Sequence, residues 1–364
     1  METALPTRPS KKRLEWLDAL RGFTMILVVA YHVAQIGFSQ TMKSSSSLPF
    51  LVLFRMPLFF FVSGFLAYKA SQVWTAHDLG QLLLKKLRVQ IVPTVVFFLF
   101  ATAVLRNGDY WEQVVLSLSR VTKGGYWFTL VLLYMFVLYY LFAYVESKLR
   151  CRSWVPITLF FLLSLVAYES CYLPKYFSWA EGFHGEKSAL MEWTSFVRTM
   201  EYMPFFLYGN IVHRYWERSQ RLMDSKWFYP IIVTVVIFAT LDVLKWHTMR
   251  MEWANVPSTL AKFILLTMVF MYFRHYQDYF SRLTVIGSSL QYIGRRTLDI
   301  YLIHFLFLPN LPGIGSFFSS NSHNFAIDVT LSVLIALIVV AFSIITSNIL
   351  RVSPFFKKWL FGRE

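Results

Sequence analysis

Arg21 and His32 stand eleven positions apart in one apolar run, Trp16-Leu17-Asp18-Ala19-Leu20-Arg21-Gly22-Phe23-Thr24-Met25-Ile26-Leu27-Val28-Val29-Ala30-Tyr31-His32. The run is long enough to cross a bilayer. At ~100° per residue, eleven positions turn a helix through about three turns plus ~20°, so both side chains share one face. Asp18 falls on that face too. Ionisable groups inside a membrane are expensive and by default mark a functional site in the bundle interior. A histidine there can take and return a proton, and an arginine can grip an anion.

A second apolar run, Phe54-Arg55-Met56-Pro57-Leu58-Phe59-Phe60-Phe61-Val62-Ser63-Gly64, returns in the opposite direction. It carries Arg55 to nearly the depth of His32. A neutral imidazole beside a guanidinium suits an oxyanion held next to a base. Pro57 opens the backbone locally, and a water-filled cavity at His32 would satisfy the freed carbonyls. Each group also has a plainer reading. Arg21 can snorkel to the nearer interface, and His32 and Arg55 can be hydrogen-bonding groups between helices. Arg55, however, is too deep to snorkel comfortably.

The elements that must hold these residues are helices. Of 364 residues, 56% are hydrophobic and 15% charged, whereas soluble domains sit nearer half and a quarter. Apolar runs at 16–38, 48–68, 89–105, 126–145, 154–172, 196–212, 227–244, 257–273, 296–309 and 326–349 are of membrane-crossing type. The expected fold is therefore an all-α, polytopic transmembrane helix bundle of about ten spans, with both termini on one side. With that side cytoplasmic, most of the 35 Lys and Arg fall in inner segments, as the positive-inside rule requires. The net charge of +15 is then topogenic, and nucleic acid is not an expected partner. The expected division is a cytoplasmic tail (1–15), a transmembrane domain (16–349) and a basic cytoplasmic tail (350–364).

The first run is too long for a signal-peptide core and lacks a cleavage site, so it is expected to stay as the first span. Cys151 and Cys171 supply neither a disulfide framework nor a metal site, and no metal is expected. The longest outer connection, 173–195, carries Trp179, Glu181, His184, Glu186, Glu192 and Trp193. That composition suits contacts to a hydroxyl-rich ligand, or equally an interfacial aromatic belt. Ser44-Ser45-Ser46-Ser47 reads as a short flexible turn, and 275–294 as a helix lying along the inner membrane face. Lys262 is expected to pair with Glu169, Glu201 or Asp242.

The ninth run opens Gly294-Arg295-Arg296-Thr297-Leu298-Asp299-Ile300-Tyr301-Leu302-Ile303-His304. Arg295 and Arg296 read as topogenic charges or as anion ligands. Asp299 is placed to neutralise Arg21 or Arg296, and His304 is as suited to a structural bridge as to chemistry.

Four of these segments, in order, resemble the acyltransferase family 3 membrane proteins. They are Leu17 to Gly22 with His32, Phe54 to Gly64, Gly125-Tyr126-Trp127-Phe128, and Gly294 to His304. The resemblance implies transfer of an acyl group, usually acetyl, from a cytoplasmic coenzyme A thioester to a hydroxyl of a surface or lipid-linked glycan. Acyl-CoA would be the donor, with no permanently bound cofactor. It places the protein in the plasma membrane (the inner membrane, if bacterial), in contact with lipids, and leaves homo-oligomers open. His32 would be the general base or an acyl carrier, and Arg55 the oxyanion holder. Arg21, with Arg295, Arg296 or the Lys85, Lys86 and Arg88 cluster, would grip the nucleotide phosphates. Asp18, Ser63, Trp127, Asp299, Tyr301 and His304 would support them. The ~16 Å between Arg21 and His32 along the helix is comparable to the reach of a pantetheine arm. The rival from another class is a transporter or flippase for a glycan or organic anion, against which the lack of an internal repeat speaks.

Overall fold

The computed structural model describes residues 14–170, 189–234, 255–281, 284–320 and 325–361, apart from Lys43, Ser46, Ser71 and Val73. The basic residues Arg8, Lys11, Lys12 and Arg13, the loop residues Trp179, Glu181, His184 and Glu186, and Cys171 and Asp242 lie outside these. So does the end of the run expected at 227–244.

The described residues form helices without strands. Five helices are long and apolar enough to cross a membrane: Glu15–Gly37, Ser47–Ala67, Ala76–Leu105, Trp127–Glu146 and Phe325–Leu350. A sixth arises if Thr297–Phe307 and Pro312–Phe318, bent by 93°, count as one span. The described residues of the expected runs at 154–172, 196–212 and 257–273 are also helical, but Trp154–Ser170 is short. Phe196–Arg214 carries Arg198, Glu201, Asn210, His213 and Arg214, which lower its apolarity.

Six helices position the site. These are α1 (Glu15–His32), α2 (Ser47–Ala67), α3 (Trp127–Glu146), α4 (Phe196–Arg214), α5 (Val285–Arg295) and α6 (Thr297–Ile303). Two crossings hold them, each made by paired glycines. A Cβ on Gly22 of α1 would overlap the Leu290 carbonyl of α5, and one on Gly294 would overlap the Asp18 carbonyl. Gly64 of α2 and Gly209 of α4 meet the Phe206 and Phe61 carbonyls in the same way. Without a hydrophobic drive between helices in lipid, such small-residue contacts are how backbones approach. Within the 275–294 segment α5 is thus packed closely against α1, although its Val285, Ile286 and Tyr292 remain exposed.

The serine stretch is also built in. Ser45 and Ser47 are buried, and the Asp328 carboxylate accepts hydrogen bonds from the Ser45 hydroxyl (3.0 Å) and the Ser47 amide (3.1 Å). This ties the start of α2 to the Phe325–Leu350 helix, whose first turn supplies Asp328.

Immediately after His32, α1 widens into a π-turn, Val33–Gly37. Single π-turns inside helices are frequent at functional sites. The Gly37 carbonyl accepts from the Leu311 amide at 2.7 Å, anchoring the bend of the broken helix pair against this turn.

Candidate functional site

A cavity of about 830 Å³ opens between the His32 end of α1, the first half of α2, the start of α3 and the start of α4. His32, Arg55, Trp127 and Tyr301, all expected from the sequence, line it together. Each reaches it for a local reason. His32 sits in the last turn of α1, on the face that Met25 and Val28 also present to the cavity. Arg55 lies two residues before Pro57 within α2.

Arg55 is 8% exposed, and its guanidinium carbon sits 3.5 Å above the Tyr31 ring centroid. Among the described residues its Nε has no hydrogen-bond partner. A buried guanidinium is costly unless its donors are used. Stacked on an aromatic ring with a donor to spare, Arg55 is disposed to accept an anion.

His32 Nδ1 lies 3.0 Å from His304 Nε2. His304 is completely buried, and its own Nδ1 lies 3.0 Å from the Ile300 carbonyl and 2.8 Å from that of Tyr301. Phe305 closes the pair, with ring centroids 5.0 Å from His32 and 4.1 Å from His304.

Tyr301 fastens the start of α3. Its hydroxyl donates to the Gly125 carbonyl (2.7 Å) and accepts from the Phe128 amide (3.1 Å). The Tyr126 hydroxyl returns a bond to the Leu302 carbonyl at 3.0 Å. Gly125 has φ +105°, and a Cβ there would strike the Phe305 ring. The Gly125-Tyr126-Trp127-Phe128 segment and the Tyr301-His304 segment, far apart in sequence, are therefore one unit behind the cavity wall.

Sequence reasoning missed three lining residues, Arg198, Glu201 and Tyr202. In the sequence Arg198 is one charge near the start of an apolar run, and Glu201 a candidate partner of Lys262. In the structure Arg198 Nη1 and Glu201 Oε2 are 2.6 Å apart, one helical turn from each other on α4. Tyr202 stacks on Trp127 at 5.7 Å and on Phe60 at 5.0 Å. The one-face test that picked out Arg21 and His32 would have found Arg198 and Glu201 at i and i+3.

A loop of the cavity wall is stapled by Lys123, which has φ +47°. Its ammonium donates to the carbonyls of Leu118 (2.6 Å), Arg120 (2.9 Å) and Glu192 (2.9 Å). Burial pushes this ammonium down to about 8, with Glu192 pulling the other way. Ser195 adds a hydroxyl bond to the Val121 carbonyl at 2.9 Å. Thr122, Gly124 and Gly125, which line the cavity, are held by these ties.

Arg21 stands apart, at the other end of α1. It donates to the Thr297 hydroxyl at 2.9 Å and lies 3.7 Å from Asp18. Lys86 is within electrostatic reach of Arg21, Lys69 and Lys85 and lies over the Phe136 ring at 3.4 Å. Lys85, Arg88 and Arg295 are exposed. Asp299 meets Arg351 at 2.6 Å and Arg296 only at 3.9 Å, so the C-terminal segment supplies its main partner. Ser63 does not line the cavity; its hydroxyl donates to the Phe59 carbonyl of its own helix. Lys262 donates to the Tyr168 hydroxyl at 2.8 Å, and Glu169 accepts from Thr259. Cavity lining along α1 ends at Met25, one turn short of Arg21.

Apolar helices of membrane-crossing length around a buried polar centre define an integral membrane protein, with its chemistry inside the bundle. A family model described as an acyltransferase domain, that of acyltransferase family 3, matches residues 14–351, and the chain belongs to this family. No curated protein and no solved structure matches it.

Proposed function

We propose that the protein is a membrane O-acyltransferase. It moves an acyl group, acetyl first among candidates, from cytoplasmic acyl-CoA to a hydroxyl of a cell-surface or lipid-linked glycan. The full bundle has about ten spans with both termini cytoplasmic, in the plasma membrane. The observation that carries this reading is His32 and Arg55 on the wall of one cavity, with an unused buried guanidinium donor.

In the reaction, His32 takes the proton of the acceptor hydroxyl as its oxygen attacks the thioester carbonyl carbon. Arg55 holds the oxyanion of the tetrahedral intermediate. The intermediate collapses with rupture of the C–S bond, and the departing thiolate receives the proton from His32. At the other end of α1, Arg21 and Lys86, with Lys69 and Lys85 near Lys86, grip the phosphates of coenzyme A. Arg88, Arg295 and Arg296 add charge at this end. The arm passes Met25, whose unbranched side chain can swing aside. The acceptor binds past the Lys123-stapled loop, against Trp127, Arg198 and Glu201.

Purified protein in vesicles, given radiolabelled acetyl-CoA and a glycan fraction, tests the assignment. Incorporation of label into the glycan is expected. Movement of the glycan across the bilayer without modification would instead identify a carrier.

A further inference from the structure

We infer that His304 is a positioning residue that fixes the tautomer of His32. A carbonyl oxygen only accepts, so the two carbonyls on His304 Nδ1, from Ile300 and Tyr301, require that nitrogen to carry a proton. A neutral ring suits His304, which is completely buried. Its Nε2 is then a bare acceptor, and the nitrogen facing it at 3.0 Å, His32 Nδ1, must be the donor. This leaves His32 Nε2 with a lone pair. His304 is completely buried while His32 is half-buried and lines the cavity, so the free edge of the His32 ring is the one open to substrate.

Free imidazole side chains favour the opposite tautomer, with the proton on Nε2, which cannot serve as a base at that atom. The buried histidine thus does for His32 what a carboxylate does in a hydrolytic triad, without placing a negative charge in the membrane. When His32 Nε2 takes the acceptor proton, Nδ1–H stays on His304, and no second proton moves. His304 follows the last turn of α6, where its ring nitrogen reaches both the i−3 and i−4 carbonyls.

The catalytic consequence rests on the reading of His32 as base; the tautomer itself does not. The test is nitrogen NMR on histidine-labelled protein in nanodiscs, its signals assigned through His32→Gln and His304→Gln. Both rings are expected as the Nδ1–H tautomer in the unaltered chain. In His304→Phe, His32 is expected to move to mainly Nε2–H. A wild-type His32 bearing its proton on Nε2, or one that does not respond to His304→Phe, overturns the inference whether or not acyl transfer is ever detected. In turnover, His304→Phe is expected to lower kcat by about 10²-fold or more with KM within about twofold. His304→Gln, whose side-chain oxygen can accept from Nδ1–H, should recover most of that loss. A His304→Phe enzyme with normal kcat, or loss in the Gln variant equal to that in Phe, contradicts the role.

Discussion

Arg55 and Arg21 are both cationic, yet their surroundings give them different work. Arg55 lies over Tyr31, deep in the bundle, with Nε unused. Replacing it by Lys removes the fork but keeps the charge, and a loss of about 10²-fold in kcat is expected, the usual effect of removing one oxyanion donor. Steady-state kinetics on Arg55→Lys checks this, and unchanged kcat counts against the oxyanion role. Arg21 donates to Thr297 beside the basic group around Lys86. Its Ala variant should raise KM for acyl-CoA by about tenfold, the equivalent of ~1.4 kcal/mol, with kcat nearly kept. His32, Arg55 and Arg21 were legible in the sequence because a charge within an apolar run needs a reason. Ser63 had no such warrant, and its hydroxyl is spent on its own helix. Arg198 and Glu201 were hidden because an ion pair near a span end looks like solvated charge until the helices are packed.

The helices position these groups through backbone contact. Gly22 and Gly294 press α1 against α5, and even one methyl group would meet a carbonyl oxygen there. Gly22→Val is therefore expected to lower the yield of folded protein several-fold, whereas Gly80→Val, where nothing lies near, should not. Fluorescence-detected size-exclusion of the two variants makes the comparison, and equal yields would contradict the crossing. Lys123 offers a milder case. Lys123→Met removes three bonds from a charged donor, each of about 1.5–3 kcal/mol at most. The expected outcome is a folded protein with KM for the acceptor raised about tenfold and acyl-CoA binding unaltered. Periodicity and charge placed α1, α2 and α3 well, since each is a long apolar helix. Those signals did not show that α5, within 275–294, packs on α1. Amphipathic spacing does not distinguish a helix at the membrane surface from one packed on a neighbour, and the pairing of Gly22 with Gly294 is a tertiary fact.

Across the whole molecule, polar groups divide between the two ends of α1. One end holds the cavity with His32, Arg55 and the Arg198–Glu201 pair. The other holds Arg21, Lys86 and the Arg296–Asp299–Arg351 cluster. The division suits a donor and an acceptor arriving from opposite sides, and Met25 stands between the two regions. Met25→Phe should slow transfer from acyl-CoA more than Met25→Ala does, since a rigid ring cannot yield to the arm. The family and the helical bundle could be read from motif order and hydropathy. How far the cavity runs could not, because it depends on which side chains fill the space between helices. The most direct test of acyl transfer at His32 is to measure acetyl-CoA binding and single-turnover acetyl transfer together, in purified wild type and His32→Ala. Unchanged binding with transfer lowered by at least about 10²-fold is the predicted result; full transfer by His32→Ala would contradict it.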